Sequence, residues 1–526
     1  MKKMRYLGVI AAASVTMLSM PVMAADSYSL NNPPIVETEE GELRGLMDDG
    51  TFEFLGVPYA QAERFEAPQK LEKWEGVKNA QSYGAVCPIQ DQTEVGADEL
   101  VWPHRYWVQN ENCLNLNVWT QSIDKEAKKP VVVFFHGGGF KNGSSIEGAA
   151  QDGKNLSEYG DVVVVTVNHR LNVLGFMDLS DYGDEYADTA NLGIQDLVAS
   201  LEWVQENIEN FGGDASNVTI FGQSGGGGKV NTLLNTPSAE GLFSKAAVIS
   251  GSKIIVDKET NDAVVDTTLE KLGLEKDQIG ELKDMDYYTL INAAQEACTD
   301  LGTDWRPVAD GEIVQEEMCD WANDIPYLAS TTFSEFNYTW KFDGANKNEW
   351  TDEETMAHLT EKYGDEYADK IATEFQKVFP DRPLADAYFY DGANYRPRVS
   401  ALMDEKLETA RAACYEYLFA YEAPVNGGVL PYHCNDLIYL FHNVDIPVVS
   451  VAVGGADNET TQKLQDTVAD AFVAFAKTGN PSTETLEWKP YTNDEKNVMV
   501  FDKTSECKVL GDEQLCALMQ EASATK

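Results

Sequence analysis

The stretch VTIFGQSGGGG, residues 218–228, places a serine between glycines directly after a run of apolar and β-branched residues. Such a run, bounded by glycines, predicts a buried strand. A strand that ends in G-x-S-x-G is typical of a strand-to-helix turn that holds a nucleophilic serine above a sheet. Small residues are needed at positions 222 and 226 because side chains would collide inside the turn. The stretch therefore predicts Ser224 as a nucleophile, with a glycine-rich helix cap as the alternative when it is taken alone.

A second glycine-rich segment lies upstream, in the sequence VVVFFHGGGF of residues 131–140. HGGG after a strand, upstream of the nucleophile, is typical of the hydrolase loop that binds an oxyanion. Glycines leave backbone N–H groups unshielded, so several of them can converge on a negatively charged oxygen. The order of the two motifs argues against a plain turn. The absence of GxxxxGK[ST] argues against a phosphate-binding loop.

Other runs of β-branched residues predict strands at 162–167, 246–249 and 415–421. Apolar residues at helical spacing predict helices over 192–209 and 461–477. Strands that alternate with helices indicate a largely parallel sheet covered on both faces. In such sheets the active site lies at the carboxyl ends of the strands.

The chain of 526 residues carries 40 Lys and Arg against 87 Asp and Glu, a formal net charge of −47. An acidic surface of this kind repels nucleic-acid phosphates and anionic membranes, so no nucleic-acid partner is expected. No linker, repeat or low-complexity tract marks a boundary. We expect one domain over 25–526, with a helical insertion region around 253–426. The sequence leaves the oligomeric state open.

The first 24 residues have the composition of a signal peptide. Lys2, Lys3 and Arg5 precede an apolar segment over 6–20, and Val-Met-Ala at 22–24 offers the small residues that a signal peptidase accepts. We expect cleavage after Ala24 and a secreted or periplasmic protein, with an uncleaved anchor helix as the alternative. No other stretch reaches the ~18 apolar residues of a membrane span, so stable membrane insertion is not expected.

Eight cysteines behind a signal peptide suggest disulfides, with free buried thiols as the alternative. CxxC and HExxH are both absent from the sequence, so no metal site is predicted. No pattern indicates a cofactor.

The chain also resembles the type B carboxylesterase family, which includes cholinesterases, carboxylesterases and related lipases. The resemblance covers nearly the whole chain after residue 24 and implies the α/β-hydrolase fold. The segments that carry it, besides the two glycine motifs, are FLGVPYA at 54–60, ENCLNLNV at 111–118, NLG at 191–193, Trp203, FGGD at 211–214 and WRPVADG at 305–311.

The resemblance selects the partners of Ser224. The family's acid corresponds to Glu335, at the end of IPYLASTTFSE, and its histidine to His433 in YHCNDLIYLF. The chain order Ser224, Glu335, His433 is the order that this fold requires. His442 is the competing histidine, and Asp343 or Glu349 are competing acids that lack a preceding strand.

The implied chemistry is ester hydrolysis through an acyl-enzyme, with a small-molecule ester and water as substrates. His433 would take the proton from Ser224, and Glu335 would hold the imidazole in the required tautomer. The amides of Gly138, Gly139 and Gly225 would bind the oxyanion.

Two positions depart from the family pattern. Gln223 stands where glutamate is usual, which weakens any case for a cationic ester, and Gly225 stands where alanine is frequent. By family position Ser250 lies near the acid and the histidine, and Trp102 is a candidate substrate contact for which buried packing is the alternative.

The resemblance also implies four pairings. Cys87 with Cys113 and Cys298 with Cys319 are implied disulfides. The implied charge pairs are Arg64 with Glu111 and Arg170 with Asp196.

We expect an esterase for small or medium uncharged carboxylic esters. A lipase on the same fold is an alternative, although no apolar lid helix stands out near residues 80–110. A non-catalytic adhesion protein is a further alternative, which the filled triad positions disfavour.

Overall fold

The computed structural model describes residues 32–90, 99, 102–341, 346–455 and 457–525. The predicted signal peptide and the competing acid Asp343 lie outside the described residues. Within these ranges, no helix is long and apolar enough to cross a membrane.

A mixed sheet of eleven strands forms the centre of the described structure, in the order β14-β13-β12-β11-β10-β9-β7-β8-β6-β4-β3, and a smaller sheet has the order β1-β2-β5. The strands are β1 Ile35–Glu37, β2 Glu42–Arg44, β3 Leu46–Asp48, β4 Thr51–Pro58, β5 Val77–Asn79, β6 Asn115–Thr120, β7 Lys129–Phe135, β8 Val163–Val167, β9 Gly213–Gln223, β10 Lys245–Ile249, β11 Tyr327–Thr332, β12 Cys414–Phe419, β13 Asn497–Phe501 and β14 Glu506–Val509.

Helices surround this sheet. They are α1 Lys154–Gly160, α2 Asn172–Phe176, α3 Leu192–Asn207, α4 Gly225–Leu234, α5 Lys258–Leu272, α6 Tyr287–Asp300, α7 Asp352–Tyr363, α8 Asp365–Val378, α9 Asp386–Phe389, α10 Tyr395–Thr409, α11 Asn435–Leu440, α12 Pro447–Val453, α13 Glu459–Thr478 and α14 Glu513–Ala524.

The middle of the large sheet is parallel, from β8 through β7, β9, β10, β11 and β12 to β13, and its outer strands are antiparallel. Residues 131–135 and 163–165 are completely buried, which is the burial expected of strands with helices on both faces. The predicted fold class is confirmed: the protein is an α/β structure with a large, mostly parallel sheet.

The predicted strands and helices are present, with shifted ends. β9 is longer than the predicted strand because it continues from Gly213 to the nucleophile turn. α13 begins after Asn458, whose side chain accepts from the amides of Thr460 and Thr461, and it ends at Gly479, which has a φ of 77°.

β6 has no uninterrupted apolar run because asparagines occupy two of its six positions, yet every residue in it is buried. The Asn117 amide donates to the Ser145 hydroxyl at 3.1 Å and the Thr166 hydroxyl at 3.0 Å. These bonds satisfy the amide in the core, so a polar residue can occupy a buried strand.

The region predicted as a helical insertion contains two strands of the large sheet, β11 and β12. α5 and α6 precede β11, and α7 to α10 follow it. The stretch 253–426 therefore supplies helices and two parallel strands, β11 and β12.

Both predicted charge pairs form. Arg170 Nε donates to Asp196 Oδ2 at 2.8 Å and its Nη2 donates to Oδ1 at 2.7 Å, in a pair that is almost fully buried. Arg64 binds Glu111 in the same two-pronged way, with Nε to Oε2 at 2.7 Å.

Candidate active site

Ser224 lies between β9 and α4 in a strained turn. Its φ of 58° and ψ of −122° fall in a region that non-glycine residues rarely occupy. A Cβ at Gly226 would lie 2.9 Å from the His136 carbonyl oxygen, and one at Gly222 would lie 2.9 Å from the Cα of Gly226. The flanking positions therefore require glycine, for the reason that the motif predicted.

Glu335 and His433 are in direct contact: the imidazole Nδ1 binds Glu335 Oε2. The backbone joins them as well, since the His433 amide donates to the Glu335 carbonyl at 3.0 Å. The carboxylate is completely buried, and its Oε1 accepts from the Ser250 hydroxyl and from the Thr332 amide, both at 2.7 Å. Four groups thus fix the acid.

Ser250 takes the place that was predicted for it. It follows β10 directly, has a φ of 45° and donates to Glu335. Thr332 was not singled out from the sequence, although its hydroxyl accepts from the Glu335 amide at 3.2 Å. A threonine three residues before an acid was the local signal for this contact.

The other imidazole nitrogen is engaged by Gln223. The Gln223 amide Nε2 lies 3.1 Å from His433 Nε2, and the Cys434 thiol donates to Gln223 Oε1 at 3.0 Å. Since the amide nitrogen donates, the imidazole Nε2 is the acceptor and Nδ1 carries the proton toward Glu335. Within the described residues, the Ser224 hydroxyl makes no hydrogen bond. The structure therefore has the imidazole tautomer that a general base requires, and the lone pair of Nε2 accepts from Gln223 rather than from Ser224.

The glycine loop lies against the nucleophile turn. Gly138 and Gly139 have φ values of 79° and 65°, in the left-handed region that glycine favours. Their amides donate to no acceptor among the described residues, and Gly225 is the first residue of α4, where amides lack an intrahelical acceptor. A Cβ at Gly225 would lie 2.5 Å from the Gly139 nitrogen. Glycine at 225 therefore allows this loop to approach closely.

One cavity of about 440 Å³ is lined by Gln223, Ser224, Ser250 and His433 together with Gly138, Gly139 and Gly225. Aromatic rings form much of its wall. Phe336 stacks on the His433 ring with centroids 4.2 Å apart, and Tyr395 contacts the same ring at 5.1 Å. The aromatic side chains at the cavity are Trp102, Phe134, Phe336, Tyr338, Tyr395 and Tyr432.

Trp102 is 9% exposed and packs in the core, and it also borders this cavity. Its contact with a substrate stays a prediction. Phe336 and Tyr395 were not predicted. Phe336 directly follows the acid, which was an available signal. Tyr395 comes from the start of α10, and nothing local to it indicates the site.

Two further buried acids lie near Glu335. Burial, with a smaller contribution from the negative charge of Glu335, raises the pKa of Asp436 to about 7. The same two causes raise the pKa of Asp391 to about 7. Asp436 Oδ2 accepts from the Tyr417 hydroxyl at 2.8 Å, and its Oδ1 has no partner among the described residues.

The competing residues lie elsewhere. His442 binds Asp466 at 2.9 Å and stacks on Tyr159 with ring centroids 4.0 Å apart. Glu349 is exposed at the end of a short 3₁₀ turn.

Cys87 and Cys113 lie next to each other as free thiols, without the predicted bond. A hydrogen bond between the two thiols and burial raise the pKa of Cys113. Cys298 and Cys319 are also free thiols. In the described part of the chain, no group of three or more His, Cys, Asp or Glu side chains could hold a metal ion.

The parallel sheet, the strained serine turn at a strand end and the adjoining glycine loop define an α/β-hydrolase. Residues 32–519 match the sequence model of the carboxylesterase family. A para-nitrobenzyl esterase from Bacillus subtilis (strain 168) is 32% identical over 485 residues, which cover 89% of this chain and 94% of that protein.

Solved structures that are similar to this chain are also esterases. An esterase from Clostridium hathewayi, described as able to hydrolyse aliphatic aromatic polyesters, is 39% identical with a TM-score of 0.87, over 94% of this chain and 99% of that one. A carboxylesterase from Geobacillus stearothermophilus is 32% identical with a TM-score of 0.73, over 92% and 100%. The chain belongs to the carboxylesterase family, and carboxylic ester hydrolysis is its class of reaction.

Proposed function

We propose that the protein hydrolyses small or medium uncharged carboxylic esters through Ser224, His433 and Glu335. The observation that carries the proposal is the contact of His433 Nδ1 with a fully buried Glu335, while His433 and Ser224 line the same cavity. An oriented acid and base beside a strained serine are the arrangement that nucleophilic acyl transfer requires.

In the proposed reaction, His433 Nε2 exchanges its Gln223 contact for the Ser224 hydroxyl, accepts the proton and returns it to the leaving alcohol. The amides of Gly138, Gly139 and Gly225 stabilise the oxyanion. Water then cleaves the acyl-enzyme, with the same histidine as the base. Hydrogen bonds in unliganded active sites are often long and tighten once substrate binds, so the resting contact to Gln223 is compatible with this sequence.

The cavity supports an uncharged substrate with an aromatic group. Gln223 is neutral, and Lys141 at the cavity wall pairs with Asp304 at 2.7 Å. Aromatic walls bind apolar and aromatic groups through large contact areas. The aromatic polyesters named for the Clostridium hathewayi relative are consistent with this choice.

The test is a panel of p-nitrophenyl acetate, butyrate, benzoate and palmitate with the wild type and Ser224→Ala. We expect turnover of the three short esters, little turnover of palmitate, and no turnover by the variant. Labelling by a fluorophosphonate should likewise require Ser224. A preference for palmitate would favour the lipase, and no turnover or labelling at all would favour a binding protein.

We further propose that residues 1–24 are removed during export, leaving residues 25–526 as one domain. Cys87 and Cys113, which are already in contact, would then oxidise to a disulfide. Mass spectrometry of exported protein tests both points, since it reports the first residue and a loss of two hydrogens for the Cys87–Cys113 bond. A retained segment 1–24, or free thiols in the exported protein, would contradict them.

A further inference from the structure

A buried lysine lies directly behind the glycine loop. Lys229 is on α4, five residues after Ser224, and its side chain is fully buried. Its ammonium donates to the carbonyl of His136 at 2.8 Å. His136 is the residue that leads into the glycine loop, so this hydrogen bond joins the loop to the helix that carries Gly225.

The groups around Lys229 come from several elements. His136 and His169 stack on each other with ring centroids 5.2 Å apart, and burial lowers the pKa of both. Glu147, whose side chain is 21% exposed, lies at the loop, since a Cβ at Gly143 would be 3.0 Å from its Oε2. The charged residue next to His169, Arg170, is already paired with Asp196.

Glu147 is the acidic group whose charge acts most strongly on Lys229. Burial lowers the pKa of Lys229 to about 7, and the negative charge of Glu147 opposes this shift. Moving an ammonium group from water into the protein interior costs free energy, and a lowered pKa is the usual result. The lysine therefore changes charge near neutral pH.

The hydrogen bond between Lys229 and His136 joins the two segments that would supply the oxyanion donors. Gly138 and Gly139 belong to the loop, whereas Gly225 belongs to α4. The two backbones already touch, since a Cβ at Gly226 would lie 2.9 Å from the His136 carbonyl oxygen. Any group that fixes His136 on α4 also fixes the amides of the loop relative to that of Gly225.

We propose that Lys229 is a positioning residue of the oxyanion hole: its ammonium holds the glycine loop against α4 and adds positive charge behind the oxyanion. The inference rests on the proposed function, in which these amides bind the oxyanion. Because the charge stabilises the transition state more than the neutral ester, its loss lowers kcat and leaves KM nearly unchanged.

The pH dependence separates this role from a packing role. The wild type needs neutral His433 and, in this proposal, charged Lys229, so its kcat falls on the alkaline side as Lys229 loses its proton. If Lys229 only filled space, its loss of a proton would not lower kcat, and replacing it would leave the pH profile of kcat unchanged in shape.

The experiment measures kcat and KM for p-nitrophenyl butyrate from pH 5.5 to 9.5 in the wild type, Lys229→Met and Lys229→Gln. Removing one oxyanion donor typically costs ~100-fold to 1,000-fold in kcat. Lys229 would act on these donors indirectly, through its hydrogen bond to the His136 carbonyl. We therefore expect Lys229→Met to lose about 10-fold to 100-fold in kcat at neutral pH and to lack the alkaline decline. Lys229→Gln, which keeps a donor without the charge, should lack the decline and lose less.

Glu147→Gln is the second variant, for the case that a change at Lys229 prevents folding. It removes the negative charge that raises the pKa of Lys229, so Lys229 should lose its proton at lower pH and the alkaline decline in kcat should move with it. A wild-type kcat with an unchanged alkaline decline in Lys229→Met overturns the inference, as does an unmoved decline in Glu147→Gln. Fluorophosphonate labelling of the wild type distinguishes failure of this inference from failure of the proposed function. An unlabelled wild type overturns the proposed function instead.

Discussion

Replacing Glu335 with glutamine tests the proposed triad by inverting one hydrogen bond. Glu335 Oε1 accepts from the Ser250 hydroxyl and the Thr332 amide, both at 2.7 Å. Turning the glutamine NH₂ toward these two donors would forfeit two hydrogen bonds, each worth about 1–3 kcal/mol when buried. The amide oxygen therefore stays there, and the NH₂ faces His433 Nδ1.

An NH₂ group at that place forces His433 to accept at Nδ1 and to carry its proton on Nε2. This tautomer cannot take the proton from Ser224. The equivalent change in a serine protease lowers kcat by ~10⁴-fold, which corresponds to about 5.5 kcal/mol of activation free energy. We expect a loss of ~10³-fold to 10⁴-fold, with thermal unfolding close to that of the wild type because both donors keep their acceptor.

The assay is steady-state turnover of p-nitrophenyl butyrate at pH 7.5, with thermal unfolding measured on the same samples. Ser250→Ala is the matched control, since it removes one donor to the carboxylate and keeps its charge; a loss of about 10-fold to 100-fold is expected. A Glu335→Gln enzyme with kcat within tenfold of the wild type would refute the assignment of the acid.

Three other predictions follow from the same contacts. Gly225→Ala should lower kcat by ~100-fold, because the added Cβ would lie 2.5 Å from the Gly139 nitrogen and must displace the oxyanion loop; steady-state kinetics check this, and wild-type kcat would contradict the close packing of the loop on α4. Asp436→Asn should flatten the pH dependence of stability: the folded state keeps this carboxyl protonated up to about pH 7, so its contribution is complete below about pH 4 and lost as pH rises through 7. Denaturant unfolding at pH 5 and pH 8 measures the change in the free energy of unfolding between these pH values. An equal change in the variant and the wild type would contradict the prediction. Asp196→Ala should destabilise the fold by about 3–5 kcal/mol, since it leaves Arg170 charged and unpaired in the core; urea unfolding within 1 kcal/mol of the wild type would be inconsistent with that burial.

The glycine motifs were predictable because their constraints are local. The turn at Ser224 and the HGGG segment each lie within about ten residues of a strand that can be recognised by its own composition. The parallel sheet followed from the same runs, since buried parallel strands are apolar on both faces. β6 was the exception, because hydrogen bonds to Ser145 and Thr166 satisfy an asparagine that composition counts as polar.

The proposed partners of Ser224 could be predicted only through the family resemblance. Glu335 and His433 are 98 residues apart, and the sheet brings them together in a way that spacing cannot indicate. The contacts of Gln223 could not be predicted from the sequence even with the family resemblance. Cys434 lies 211 residues away, and a thiol that orients an amide leaves no pattern in the sequence. The free thiols at Cys87 and Cys113 show the same limit, because proximity was predictable and oxidation depends on the compartment.

The chemical groups of this site lie very close to the ends of neighbouring strands. Ser224 directly follows β9, Ser250 directly follows β10, and Glu335 comes three residues after β11. The long segments that wall the cavity are attached beyond these points. A protein engineer could therefore graft the stretch between Phe336 and β12, which ends before His433, from a relative with another substrate range. The proposed reacting atoms would keep their scaffold while the selectivity changed.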